Sequence, residues 1–62
     1  MIGDSIRTAR LAAGLTQKEL AARMGVNYQM LQKWEYGTFR PNAENLVKLA
    51  GALGMSVEEL IK

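Results

Sequence analysis

The residues best equipped for chemistry lie between Asn27 and Tyr36. Tyr28, Gln32 and Tyr36 recur at helical spacing, and Gln29 and Lys33 form a neighbouring row. Residues four apart share a helix face, so the two rows make one surface of long hydrogen-bonding side chains. A glutamine amide can bond an adenine edge twice, and a lysine can donate to guanine or to phosphate. Asn27, Tyr28 and Gln29 stand where such a helix would enter a groove most deeply. This is the chemistry of recognition. The same pattern also describes a solvated helix face: Tyr28 can pack over Arg23 or Lys33, and Asn27 can act only as a cap.

Little else in the chain could support catalysis. Its 62 residues contain no cysteine and no histidine, which removes disulfides, thiolate metal sites, the commonest general base and the commonest metal ligand. Glu58 and Glu59 are the only adjacent carboxylates, and such neighbours on a helix read as a solvated face. No enzyme activity, metal site, cofactor or small-molecule ligand is expected. No apolar run approaches the roughly 20 residues of a membrane-crossing helix, and Met1-Ile2-Gly3-Asp4 lacks the basic start of a signal peptide. A cytoplasmic protein without a membrane partner is the expectation. At this length the chain makes one small domain, residues 1–62, burying only about 60% of its unfolded surface.

The formal net charge of +2 is unevenly spread. Arg7, Arg10, Lys18, Arg23, Lys33 and Arg40 outnumber Asp4, Glu19 and Glu35 up to residue 41. Beyond it, Lys48 and Lys62 are outnumbered by Glu44, Glu58 and Glu59. The basic excess therefore accompanies the candidate recognition residues, which favours a polyanionic partner.

Capping residues and glycines predict five short helices and no strand. The first runs from about Asp4 to Ala13, with Ile2, Ile6, Ala9 and Ala13 at helical spacing and Gly14 past its end. Thr16-Gln17-Lys18-Glu19 is a capping box that opens the second, with Leu15 and Leu20 as its hydrophobic staple and Gly25 as its stop. Asn27 caps the third, whose apolar positions are Met30, Leu31 and Trp34 and which ends at Gly37. Asn42 caps the fourth, which buries Leu46, Leu49, Ala50 and Leu53 before Gly54. Ser56 and Glu59 form a second capping box ahead of Val57, Leu60 and Ile61. Each helix falls short of the ~12–15 residues at which an isolated helix becomes marginally stable, so all five depend on a shared core.

Two helices joined by a turn as short as Gly25-Val26 must cross steeply, which can present the third helix to a groove. Phosphates would then be met on its flanks. The unpaired N–H groups beside Thr16 and Gln17 suit an anion, and Arg40 with the backbone around Asn42 could serve the far side. Arg40 reads equally well as an ordinary loop arginine.

The run Gly14-Leu15-Thr16-Gln17-x-Glu19-Leu20-Ala21, then Gly25-Val26, Trp34-Glu35-x-Gly37, Pro41 and Leu46-x-x-Leu49-Ala50-x-Ala52-Leu53-Gly54-x-Ser56-x-x-Glu59-Leu60, resembles the XRE-type helix-turn-helix family. That family includes the lambdoid phage repressors and Cro proteins. The resemblance covers essentially the whole chain, with its motifs in order. It implies an all-α, five-helix, lambda-repressor-like domain that binds double-stranded DNA sequence-specifically and regulates transcription, as a repressor by expectation. The third helix would lie in the major groove and Gln17 on the DNA backbone. Base contacts would come from Asn27, Tyr28, Gln29 and Lys33, with Gln32 beside them. The resemblance further implies a homodimer on DNA, here through Met55, Val57, Leu60 and Ile61, residues that fit an ordinary core as well. It also implies an ion pair between Arg10 and Glu35. Losing one partner of such a pair costs ~3–5 kcal/mol if it is buried and below ~1 kcal/mol if it is exposed.

Three positions depart from the family pattern. Ala9 and Met30 differ in size from the usual residues, and Leu11 replaces a polar residue, predicting an exposed apolar spot. A chain ending at Lys62 fits a minimal Cro-like protein, an excised domain or an engineered one. Two other functions fit the same scaffold: a protein-interaction module of antitoxin or coactivator type, and an engineered scaffold without a native target.

Overall fold

Caps and glycine stops divide the chain into α1 (Ile2–Ala12), α2 (Gln17–Met24), α3 (Tyr28–Tyr36), α4 (Ala43–Leu53) and α5 (Val57–Ile61), in a computed structural model that describes residues 1–62. The capping residues of α2, α3, α4 and α5 are Thr16, Asn27, Asn42 and Ser56, each accepting a backbone N–H through its side chain. α1 begins at Ile2 rather than Asp4, with no capping side chain. The Met1 carbonyl accepts the Ser5 N–H at 3.2 Å, and Asp4 falls in the first turn, where its charge complements the helix dipole. No helix is long and apolar enough to cross a membrane.

The core is small and drawn from every helix. Trp34 lies at its centre with Ile6, Leu20, Leu31, Leu49 and Leu60, all essentially removed from solvent. α1 packs on α3 and α5, α2 packs on α3 and α4, and α5 closes against α4. Leu15 and Leu20 are both buried at the entrance to α2, as a staple requires. Met30 corrects the predicted apolar face of α3: it is 40% exposed. Met30 and Glu35 flank the inward face of Leu31 and Trp34 on opposite edges, and the packing buries the Glu35 edge while leaving the Met30 edge open. Ala13 is likewise exposed, and Leu46 and Leu53 are only half-buried, packed against the core from its margin. Leu11 is the exposed apolar spot its sequence position predicts.

One contact was invisible to spacing. α1 crosses the end of α3 so closely that a Cβ on Gly3 would stand 2.6 Å from the carbonyl oxygens of both Trp34 and Glu35. Those oxygens belong to backbone and cannot swing aside. Only glycine fits there.

Candidate nucleic-acid interface

The attitude of α3 is set by the turn before it. Gly25 takes a left-handed conformation with φ 70°, and the Val26 N–H closes onto the Ala21 carbonyl at 3.0 Å. That backbone form carries a steric penalty for any residue with a Cβ. Asn27 then leaves in an extended conformation, and its Oδ1 accepts the Gln29 N–H at 2.7 Å. The Asn27 oxygen is thus committed to capping, while its amide N–H groups are left as donors.

Among the other predicted base readers, Gln29 and Lys33 are exposed, whereas Tyr28 and Gln32 are half-buried. Tyr28 packs against the core, and the Lys18 ammonium lies 5.1 Å from its ring centroid. Its cationic partner is therefore Lys18, where the sequence had offered Arg23 or Lys33. Tyr36, at the end of the same face, is 75% exposed.

The capping box of α2 decides which donors remain at that helix end. Thr16 Oγ1 accepts the Glu19 N–H at 3.0 Å, and Glu19 Oε1 accepts the Thr16 N–H at 2.9 Å. The Thr16 N–H first and its side chain second hold the Glu19 carboxyl below its ordinary pKa. With the Thr16 N–H engaged, the first-turn N–H groups of Gln17 and Lys18 have no intrahelical acceptor and suit an anion. On the other flank, Arg40 and Asn42 are exposed, and Asn42 Oδ1 caps α4 through the Asn45 N–H at 2.8 Å.

Behind this surface lies a buried polar network. Arg10 donates from Nε to Glu35 Oε2 at 2.7 Å and from Nη2 to Oε1 at 3.1 Å. Its Nη1 donates to the Leu15 carbonyl at 2.9 Å. Gln17 Nε2 donates to Glu35 Oε1 at 3.2 Å. The hydrogen bond to Glu35 raises the Arg10 pKa, against an opposing effect of burial. No buried side-chain nitrogen or oxygen is left without a partner. The network joins α1, the start of α2 and the end of α3, with the half-buried Gln17 side chain bonded to Glu35 through its amide N–H. Arg7 and Tyr36 complete a cleft of about 120 Å³ around Arg10, Gln17 and Glu35. Sequence spacing did not bring Arg7 to this place, because the α1–α3 crossing sets it.

The four apolar residues toward the C-terminus divide. Leu60 is fully buried within the single chain and is core, not open surface. Met55 and Val57 are half-buried against the core, and Ile61 is 51% exposed.

A family model described as helix-turn-helix matches residues 6–60. The transcriptional repressor RstR of the cryptic phage CTXphi in Vibrio cholerae is 37% identical over 59 residues, covering 95% of this chain and 53% of that protein. The chain thus spans about half that relative's length. The crystal structure of the restriction-modification controller protein C.AhdI from Aeromonas hydrophila superposes with a TM-score of 0.92 at 34% identity, covering 95% of this chain and 89% of that one. The DNA-binding domain of the C2 repressor of phage P22 gives a TM-score of 0.95 at 34% identity, over 100% of this chain and 82% of its own. With capped α2, the tight turn and α3 in place, and the match running from α1 into α5, the chain belongs to the XRE-type helix-turn-helix family.

Proposed function

We propose that the chain is a sequence-specific double-stranded DNA-binding domain, residues 1–62, that represses transcription in the cytoplasm by occupying an operator. The observation that carries this reading is the exposed pair Gln29 and Lys33 on α3, presented by a capped turn beside the open N–H groups of α2. α3 enters the major groove; Gln29 and Lys33 reach base edges first, with Asn27, Tyr28 and Gln32 around them. Thr16, Gln17, Arg40 and Asn42 hold the phosphates on either side, and the Gln17 contribution comes from its backbone N–H. Two copies bind as a homodimer to half-sites about 34 Å apart, with Ile61, Met55 and Val57 at the contact and Leu60 supporting them from the core. No chemical step belongs to this function.

The test is selection of bound duplexes from a random pool, followed by affinities on the enriched sequence. Palindromic enrichment is expected, and binding should weaken steeply with salt. Gln29→Ala should cost far more affinity than Lys62→Ala. Equal losses from the two would refute base reading by α3.

A further inference from the structure

Lys33 is exposed on α3, yet its ammonium has a fixed neighbour. Lys33 Nζ stands 5.2 Å from the centroid of the Phe39 ring. Phe39 lies in the connection between α3 and α4 and is 51% exposed, so core burial does not account for an aromatic ring there. The chain ties that ring to that lysine. The Lys33 carbonyl accepts the Thr38 N–H at 2.9 Å and the Phe39 N–H at 3.3 Å as the backbone turns through Gly37. The backbone of Phe39 is thus bonded to the residue whose ammonium its ring meets.

We propose that Phe39 is a positioning residue for recognition, holding the Lys33 ammonium against its ring so that Lys33 meets one base pair from a fixed direction. The negative face of an aromatic ring attracts a cation within about 6 Å of its centroid. A free lysine loses rotamer freedom when it binds, and a lysine already held loses less. The ammonium keeps N–H directions away from the ring for a base edge. Because the contact is exposed, its effect is modest, about two- to fivefold in affinity. The inference rests on the reading of α3 as the base-reading helix.

The experiment compares the full chain with Phe39→Leu, Phe39→Tyr, Lys33→Met and the Phe39→Leu/Lys33→Met double variant, on duplexes that the wild-type chain selects from a random pool. Phe39→Leu should weaken binding about two- to fivefold and relax preference at the same base-pair position as Lys33→Met. It should cost nothing further in the Lys33→Met background. Phe39→Tyr, which keeps the ring face, should bind as wild type does. Unchanged melting of Phe39→Leu will show that the fold is intact. A loss from Phe39→Leu that is equal in both backgrounds, or relaxation at a different position, overturns the positioning role. Preference lost under Gln29→Ala but untouched by Lys33→Met also overturns it while leaving α3 as the reading helix. Absence of any preference in the wild-type selection overturns the reading of α3 itself.

Discussion

Replacing Arg10 by methionine perturbs the buried polar network at three of its hydrogen bonds. The side chains of Arg10 and Glu35 are 9% and 2% exposed, which places the pair in the buried regime. Arg10→Met leaves Glu35 Oε2 without its partner, leaves Oε1 with only the Gln17 amide, and removes the donor from the Leu15 carbonyl. An uncompensated buried charge of this kind costs ~3–5 kcal/mol. A chain of 62 residues has roughly 3–9 kcal/mol of stability in total. Arg10→Met should therefore lower the melting temperature by about 12 °C or more, at about 4–8 °C per kcal/mol, or unfold the chain at room temperature. The sole tryptophan, Trp34, is 2% exposed, so its emission reports the transition in a urea titration. Arg10→Met/Glu35→Leu removes both charges, and its loss should be much smaller than the sum of the two single losses. A single-variant loss below ~1 kcal/mol, or strict additivity in the cycle, would refute the reasoning by returning the pair to surface behaviour.

Other outcomes can be measured on the same material. Gly3→Ala should destabilise by about 1–3 kcal/mol through overpacking, although alanine favours a helix by up to about 1 kcal/mol over glycine; a raised melting temperature would contradict the α1–α3 crossing. Trp34→Ala should cost ~3–5 kcal/mol and largely unfold the chain, and a variant with normal melting would contradict the assigned core face of α3. Leu60→Ala should cost ~2–5 kcal/mol at every protein concentration, whereas Ile61→Ser should stay within about 0.5 kcal/mol in the monomer. Glu19 and Glu59 both have pKa values lowered on folding by the N–H groups and side chains of Thr16 and Ser56. The unfolded chain then binds more protons, so this contribution is present above the ordinary glutamate value of about 4.3 and is lost as pH falls through the lower folded values. Urea midpoints at pH 7 and pH 3 should differ less in Glu19→Gln/Glu59→Gln than in wild type.

The helix count, the caps and most of the stops were legible in the sequence because they are local. Thr16 with Glu19 and Ser56 with Glu59 complete their hydrogen bonds within three residues, so no distant partner is needed to recognise them. The inward pair Leu31 and Trp34 was legible for the same reason, being set by helical period. Met30 lies at the edge of that face, four residues before Trp34, and only the packing of the neighbouring helices leaves it exposed. The two further residues at the start of α1, Ile2 and Gly3, were not legible because no capping side chain announces them.

Everything that required two distant segments was decided by tertiary structure. Resemblance alone implies the Arg10–Glu35 pair, and only the packing of α1 on α3 makes it buried, bidentate and shared with Gln17. The demand for glycine at position 3 comes from two carbonyls more than thirty residues away. Tyr28 faces Lys18, and Lys33 meets Phe39, because adjoining elements bring those partners within reach. By itself the sequence determined where the capped helices α2, α3, α4 and α5 begin and where glycine stops α2, α3 and α4, since capping acts over a few residues. Which polar side chains remain open on α3 depended on the neighbours that claimed the others, and those neighbours exist only once the helices have packed.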